Sequence, residues 1–167
     1  FSAASGKPLM FRYWGARLSE EDAGAILSAC GREKSWELYP AYGGALYTNP
    51  ALTLVHADGQ LTTELVFSSC HSRQLDENRT ETIIVLQDKV LPLTVELRFT
   101  AFRQQDIVMQ SVTVRNREQG PVIVRQIASA FFSLKAMSYY LTHFHGSSNA
   151  EMWLKEELLT PGIKTID

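Results

Sequence analysis

Two histidines near the carboxyl end of the chain, His143 and His145, are spaced so that they could act together. Residues two apart on a β-strand point to the same face, so both imidazoles would face one side of a sheet. Such a pair binds zinc when a third ligand converges on it, but no metal-site spacing accompanies these residues. We therefore expect them to be hydrogen-bonded residues of a sheet, and we predict no metal site and no cofactor.

The other reactive residues do not form a catalytic pattern either. Neither Cys30 nor Cys70 belongs to a Cys-x-x-Cys pair, so both are predicted to be free thiols. Glycoside hydrolysis needs two carboxylates about 5–10 Å apart, whereas Glu156 and Glu157 point to opposite faces of a predicted strand. There is no Gly-x-Ser-x-Gly nucleophile motif. The residues thus indicate no catalytic centre in this chain.

An aromatic loop is the best candidate for recognition. Residues 43–50 read Gly-Gly-Ala-Leu-Tyr-Thr-Asn-Pro, and a further tyrosine precedes them. Aromatic faces stack on the C–H groups of sugar rings, and loops held by a rigid scaffold commonly carry recognition. Most aromatic residues of the chain are expected to fill the core. Tyr42, Tyr47 and Asn49 are our candidate substrate-binding residues.

The segments that must position this loop are dominated by a period of two. Residues 93–102 alternate apolar with polar side chains, and residues 61–67, 108–114 and 122–134 show the same pattern, which is typical of strands with one buried face. An apolar run at residues 8–14 also predicts a strand. Asp58-Gly59 predicts a hairpin between residues 52–56 and 61–67, and Gly120-Pro121 separates two further strands. Residues 146–149, Gly-Ser-Ser-Asn, separate predicted strands over residues 139–145 and 152–158.

One short helix is predicted near residues 20–30. Ser19 is an N-cap candidate, Asp22 three residues later makes a weak capping box, and Gly31 could supply the final turn. About ten or eleven strands in series with short turns favour a large antiparallel β-sandwich, an all-β fold. No linker or repeat divides the chain, so we predict a single domain over residues 1–167.

Composition excludes several classes of protein. The 167 residues carry 16 basic and 18 acidic side chains, a net charge of −2, which lacks the basic surface of a nucleic-acid-binding protein. No run approaches the roughly 18 apolar residues of a membrane helix. Since the chain begins at Phe1 without a leader-like segment, we expect any targeting segment to have been removed. A periplasmic, secreted or cytoplasmic location is equally compatible with this sequence.

From about residue 8 to residue 167, the chain resembles the glycoside hydrolase family 36 α-galactosidases. The opening motif is Phe11-Arg12-Tyr13-Trp14-Gly15-Ala16-Arg17-Leu18. The later motifs, in the order that the family shows, are Tyr42-Gly43-Gly44, Pro50-Ala51-Leu52, Asp58-Gly59, Glu81-Thr82, Asp106-Ile107-Val108, Val114-Arg115-Asn116, Ala128-Ser129-Ala130, His145-Gly146 and Thr160-Pro161-Gly162.

The resemblance implies a fold and a function. In that family the corresponding region is an N-terminal β-supersandwich of the galactose-mutarotase-like type. It precedes a (β/α)₈ barrel that carries both catalytic aspartates and cleaves terminal α-galactosides, such as melibiose and raffinose, with retention of configuration. The chain would then be a non-catalytic N-terminal domain of an α-galactosidase, and its first partner would be a catalytic barrel downstream in the same polypeptide.

The resemblance also bears on the aromatic loop. In tetrameric members a loop of this domain reaches the active site of a neighbouring subunit, and many carry Gly-Asp-Phe-Arg there. The matching residues here are Ala45, Leu46, Tyr47 and Thr48, which keep the aromatic residue but neither the acid nor the arginine. The resemblance thus implies a homo-oligomer and an α-galactoside ligand, with Tyr47 as a wall of the sugar site.

Two other hypotheses rest on the residues alone. A sandwich with an aromatic loop is also compatible with a stand-alone carbohydrate-binding module. A ligand-free interaction domain would instead expose an apolar face for a partner. Neither alternative involves a nucleic acid or a membrane.

Overall fold

The computed structural model describes residues 1–15, 18–29, 36–44, 49–134 and 137–166. By the contacts between its residues, the chain divides into two compact units, Phe1–Ser133 and Leu134–Asp167. The described residues of the first unit form α1 (Glu20–Ala29), β1 (Leu52–Val55), β2 (Leu65–Gln74), β3 (Arg79–Asp88), β4 (Leu93–Phe102), β5 (Ile107–Asn116) and β6 (Ile123–Ile127). Those of the second form β7 (Tyr140–Ser147) and β8 (Ala150–Leu158). The prediction of an all-β antiparallel fold with one short helix is confirmed.

Four strands of the first unit form one antiparallel sheet in the order β2-β3-β4-β5. Apolar residues form rows across these strands, so that Val95 of β4 lies between Leu86 of β3 and Val114 of β5. Because successive side chains of a strand point to opposite faces, the alternation along β4 places its apolar set on one face. Val95 and Leu97 are 0% exposed on that face.

Strand β1 and the segments around it cover this apolar face and close the core. The buried cluster joins residues of β3 and β4 to residues 38–41 and 51–54. Its members are Leu9, Leu38, Tyr39, Ala41, Ala51, Leu52, Leu54, Leu65, Ile84, Leu86, Leu93, Val95 and Leu97. Burying one such leucine or valine side chain stabilises a fold by about 1.5–3 kcal/mol. This cluster is therefore the main stabilising feature of the first unit.

The opposite face of the sheet carries a ladder of charged side chains. Glu81 of β3 accepts hydrogen bonds from Arg73 of β2 at 2.8 Å and from Arg98 of β4 at 2.5 Å. Arg98 also donates to Glu96 at 2.7 Å. The hydrogen bond from Arg73, and then that from Arg98, hold the pKa of the Glu81 carboxyl below its ordinary value. The carboxylate is only 6% exposed, and the two guanidinium groups satisfy it.

The turn at residues 58–59 forms as predicted, but the hairpin predicted around it is wrong. β1 pairs with β6, and β2 begins at Leu65 and pairs with β3. The predicted strand over residues 61–67 is displaced because Thr63 turns inward, where its N–H bonds to the Tyr42 carbonyl and its hydroxyl to His56. A tertiary contact thus replaces the local pairing.

Two other predicted strands are shorter in the structure. Residues 8–14 form only isolated bridges, in which Met10 pairs with Ser2 and with Glu37. The long strand predicted over residues 122–134 is reduced to β6, Ile123–Ile127. A strand persists only where a neighbouring strand accepts its hydrogen bonds, and β1 offers β6 a length of four residues.

The helix begins as predicted. The Ser19 hydroxyl accepts a hydrogen bond from the N–H of Asp22 at 3.1 Å, which satisfies one of the free amides of the first turn. Glu20, Glu21 and Asp22 place negative charge at the positive end of the helix dipole. Gly31, predicted to end the helix, lies outside the described residues. Within the described ranges, no helix has the length and apolar character to span a membrane.

The second unit is an antiparallel hairpin of β7 and β8, the two strands predicted on either side of residues 146–149. On one face, Tyr140 pairs with Leu158 and Phe144 pairs with Leu154. These four side chains are between 54% and 66% exposed. The hairpin therefore presents an apolar row, interrupted by Thr142 and Glu156, that its own two strands leave uncovered.

Candidate functional site

The side chains at the two ends of the aromatic loop are exposed, while the backbone beside them is held by hydrogen bonds to neighbouring segments. Tyr42 is 49% exposed and Asn49 is also exposed, as expected of recognition residues. Residues 45–48, and with them Tyr47, lie outside the described residues. At the first end of the loop, the Tyr42 N–H donates to the Leu52 carbonyl at 2.9 Å, and its carbonyl accepts from the Thr63 N–H at 2.8 Å. The structure thus places Tyr42 and Asn49 at the two ends of one hydrogen-bonded loop.

The second end of the loop is held by β6 and the residue after it. The Pro50 carbonyl accepts a hydrogen bond from the Gln126 side chain at 2.7 Å. The carbonyl of the buried Ala51 accepts from the Ala128 N–H at 2.8 Å. The Ala128 carbonyl in turn accepts from the Tyr39 hydroxyl at 2.7 Å, while burial raises the pKa of that phenol to about 12. These bonds give the loop a rigid support.

The glycine pair at the start of the loop is required by close packing. Gly43 has φ 96°, a conformation that residues with a side chain rarely adopt. A Cβ there would lie 2.6 Å from a methyl carbon of Thr62, and a Cβ on Gly44 would lie 3.1 Å from the Ala41 carbonyl oxygen and 3.3 Å from both carboxylate oxygens of Glu37. The pair therefore lets the backbone pass close to Thr62 and Glu37.

Glu37 is a buried carboxylate beneath the start of the loop, and sequence reasoning missed it. Together with Lys7, Gly44 and other residues it lines a cavity of about 170 Å³. The cavity walls are Gly6, Lys7, Pro8, Glu37, Gly44, Glu64, Leu65, Val66 and Lys89. The sequence carried one signal for this site, since Glu37 lies between the apolar residues Trp36 and Leu38. A charged side chain that is buried with apolar neighbours needs a hydrogen-bonding or charged partner.

A second buried network links Thr63, which bonds to the start of the loop, to Glu118, which is distant in the sequence. His56 is buried, with Nδ1 2.8 Å from a carboxylate oxygen of Glu118 and Nε2 2.8 Å from the Thr63 hydroxyl. The other oxygen of Glu118 accepts a hydrogen bond from the Ala57 N–H at 2.9 Å. Thr63 connects this network to the Tyr42 carbonyl. Sequence reasoning missed it because 62 residues separate His56 from Glu118.

The histidine pair lies on one face of the second unit, as its spacing predicted. His143 Nε2 is 3.3 Å from a carboxylate oxygen of Glu157, and His145 pairs with Trp153 across the hairpin. A hydrogen bond from Lys164 is the main cause that lowers the pKa of the Glu157 carboxyl. Among the described residues, no three His, Cys, Asp or Glu side chains are grouped to hold a metal ion. His143 therefore belongs to an ion-paired strand face.

The remaining reactive residues are dispersed. Glu156 accepts a hydrogen bond from Thr142 on the face opposite that of Glu157, so these carboxylates diverge as predicted. Cys70 is an exposed free thiol of β2, and Cys30 lies outside the described residues. The best-supported candidate site is therefore the loop with Tyr42 and Asn49 at its ends.

The sequence is similar to known proteins over most of its length. The profile of the glycosyl hydrolase family 36 N-terminal domain matches residues 7–167. The bifunctional alpha-galactosidase/sucrose kinase AgaSK of Mediterraneibacter gnavus is 24% identical over 153 residues, which cover 80% of this chain and 16% of that protein. Alpha-galactosidase 2 of Pediococcus pentosaceus is 26% identical over 141 residues, which cover 77% of this chain and 20% of that protein. The chain thus spans between 16% and 20% of the length of these two curated relatives.

Solved structures share the fold. The alpha-galactosidase from Lactobacillus brevis superposes with a TM-score of 0.70 at 21% identity, over 77% of this chain and 19% of that one. The GH36 alpha-galactosidase AgaA from Geobacillus stearothermophilus superposes with a TM-score of 0.70 at 21% identity, over 77% of this chain and 20% of that one. Both matches support the β-sandwich assignment.

Proposed function

The chain belongs to the glycosyl hydrolase family 36 N-terminal domain family, and from this premise we propose that it is the non-catalytic N-terminal part of an α-galactosidase polypeptide. In this proposal, residues 1–167 lie in one N-terminal β-sandwich domain, and a catalytic (β/α)₈ barrel follows in the same chain. The main support for this proposal is the family match over residues 7–167. The chain also spans at most 20% of the length of the two curated relatives described above. Hydrolysis of terminal α-galactosides such as melibiose and raffinose would then depend on residues outside this chain.

The distribution of apolar surface supports a scaffolding role. Tyr140, Phe144, Leu154 and Leu158 form an exposed row on one face of the hairpin, interrupted by Thr142 and Glu156, and Trp153 is exposed on the other face. Clustered apolar side chains on a protein surface often mark a region that contacts another protein. A scaffold that packs against a barrel or a second subunit needs such surfaces.

The geometry of the aromatic loop supports a role in binding the α-galactoside. Its ends are fixed by backbone hydrogen bonds to buried elements, while Tyr42 and Asn49 remain exposed. In the proposal, Tyr47 and Tyr42 stack on the sugar and Asn49 bonds to its hydroxyl groups. The loop acts at the active site of a homo-oligomer, either in its own subunit or in a neighbour.

The first experiment compares the chain with the polypeptide that contains it. The coding frame is read past Asp167, both proteins are purified, and each is assayed with an aryl α-galactoside. We expect turnover with retention of configuration from the longer polypeptide and none from the 167-residue chain. Turnover by the short chain, after contamination with a complete α-galactosidase has been excluded, would contradict a non-catalytic role.

The loop is tested in the longer polypeptide with Tyr47→Ala and Tyr42→Ala. Loss of one aromatic contact corresponds to about 0.5–1.5 kcal/mol, or roughly a 2- to 10-fold rise in KM for raffinose. Leu75→Ala, an exposed apolar residue that follows β2 and lies outside both the loop and the hairpin row, is the control and should leave KM unchanged. An unchanged KM in both loop variants would remove the loop from the substrate site.

The exposure of Tyr42 also favours a second candidate, a carbohydrate-binding module that acts without a barrel. In that case the isolated chain would bind melibiose or raffinose, and the intrinsic tryptophan fluorescence would report saturation at millimolar sugar. Tyr42→Ala would weaken this binding. A flat titration of the isolated chain would exclude the module and leave the scaffold or a ligand-free interaction domain.

A further inference from the structure

The two edges of the four-stranded sheet differ in how they are covered. At the β2 edge, Gly6 N–H donates to the Phe67 carbonyl at 3.2 Å and Phe67 N–H donates to the Lys7 carbonyl at 2.8 Å. The rest of β2 presents small, polar or charged residues at positions 68–74. Short covered stretches and polar side chains are the usual means by which a sheet edge avoids pairing with another strand.

Among the described residues of the first unit, no strand covers the outer edge of β5, and this edge is apolar at its start. β5 is the last strand in the order β2-β3-β4-β5, and in the described part of the chain its only strand partner is β4. Ile107, Val108 and Met109 are 56%, 42% and 54% exposed. In an antiparallel strand about half of the backbone N–H and C=O groups point away from the paired neighbour. Within the described ranges, the outward backbone groups of β5 therefore have no strand partner, and exposed apolar side chains lie beside them at the start of the strand.

An aromatic groove lies beside the start of β5. It has a volume of about 640 Å³. Its walls are Trp14, Gly15, Ala101, Phe102, Arg103, Asp106, Ile107 and Val108. Trp14 packs edge-on against Phe132 with ring centroids 5.4 Å apart and also lines a second cavity of about 200 Å³. A free backbone edge next to apolar pockets is the arrangement by which proteins accept an added strand, since the backbone supplies hydrogen bonds and the pockets take alternate side chains.

We propose that β5 accepts a fifth strand, an extended segment with alternating apolar residues, from the part of a family 36 polypeptide that this chain does not span. The proposal rests on the proposed function. The size of the relatives supports this occupant, because at least four-fifths of each curated relative described above lies outside the matched segment. An exposed strand edge whose first three residues are apolar would otherwise promote aggregation.

Hydrogen exchange of the backbone amides tests this assignment. The 167-residue chain and the longer polypeptide are compared at two protein concentrations. In the longer polypeptide, we expect the β5 amides that do not bond to β4 to exchange more slowly by a factor on the order of 100. The amides of residues 68–74 on the β2 edge serve as the internal control and should not change.

A pair of variants separates the edge from general stability. Met109→Lys places a charge on the β5 edge, and His71→Lys places one on the same sheet face at the β2 edge, where His71 is exposed. In the longer polypeptide, Met109→Lys should reduce the added β5 protection at least about tenfold, whereas His71→Lys should leave it unchanged. Neither variant should alter exchange of β5 in the 167-residue chain.

Each other outcome overturns the assignment in a different way. Protection of β5 in the short chain that is lost on dilution would show that a second copy occupies the edge. Unprotected β5 amides in a polypeptide that hydrolyses α-galactosides would reject the fifth strand and leave the proposed function intact. Protected β5 amides in a polypeptide without that activity would reject the function instead. A stop codon directly after Asp167 would reject both.

Discussion

The two compact units of this chain have the same kind of strand pairing but very different burial. In Phe1–Ser133, β1 and the segments around it cover the apolar face of the four-stranded sheet, and Val95 and Leu97 are fully buried there. In Leu134–Asp167, β7 and β8 pair along their whole length, but no described side chain between residues 134 and 166 is buried. The described residues of the second unit are therefore held by strand pairing and form no buried core.

This difference shows which unit is able to stabilise itself. An isolated two-stranded hairpin is at best marginally stable in water, whereas three or more strands with a covered apolar face are independently stable. The first unit meets that condition and supports the aromatic loop at its base. The second unit needs a surface to cover its apolar row.

Removing a core side chain should affect only the first unit strongly. Leu97→Ala is expected to lower the free energy of unfolding by about 2–5 kcal/mol, because it removes buried contacts and leaves a cavity. Leu154→Ala, at an exposed position of β8, should change it by less than about 0.5 kcal/mol. Urea titrations of the two variants measure both values. Equal losses in the two variants would mean that the hairpin also has a core.

Replacing a histidine should likewise distinguish the units. His56→Phe keeps a ring in place but leaves Glu118 and Thr63 without their partner, so we expect a loss of about 1–3 kcal/mol. His143→Phe removes one longer contact of 3.3 Å and should cost less than about 1 kcal/mol. Thermal and urea unfolding measure both. A neutral His56→Phe variant would show that the buried network does not stabilise the loop base.

Glycines with positive φ provide a smaller contrast. Gly43→Ala should cost about 1–3 kcal/mol, since φ is 96° and the new Cβ would lie 2.6 Å from Thr62. Gly162→Ala has φ 139° but no atom within 4 Å of the new Cβ, so it should cost only the backbone strain, about 1 kcal/mol. If Gly43→Ala were the milder change, close packing would not be what selects glycine at the start of the loop.

The smallest expected effect is a change in acid sensitivity. The folded state holds the pKa of Glu81 below its ordinary value of 4.5. Its contribution to stability is therefore present above that value and is lost as the pH falls through the lower folded pKa. In Glu81→Gln, the urea midpoint should fall less between pH 7 and pH 3 than in the parent chain. Glu157→Gln, in the more exposed hairpin network, should show a weaker change of the same sign.

Local patterns in the sequence predicted a large part of the fold. The alternation over residues 93–102 matches the bounds of β4, and Ser19 caps α1 as expected. The two strands predicted on either side of residues 146–149 are present as β7 and β8. These features depend on residues close together in the chain, where periodicity and side-chain capping act directly.

The candidate site was predictable only in part. The position of the loop and the exposure of Tyr42 and Asn49 followed from glycine, proline and aromatic residues in one short segment. The substrate contact of Tyr47 stays a prediction. Glu37, Gln126 and the network of His56 were not found, because each acts on the loop from a segment that only the folded chain brings near.

The sequence by itself determined the all-β character of the chain, the single short helix, the bounds of its strongest strand and the resemblance to family 36. Each of these depends on the identity and order of neighbouring residues. Only the tertiary structure decided that β1 pairs with β6 instead of β2 and that Gly43 and Gly44 pass close to Thr62 and Glu37. It also decided that β5 has β4 as its one strand partner in the described part of the chain. Strand partners are chosen by contacts between distant segments, and a pattern with a period of two specifies which face is buried but not which strand lies beside it.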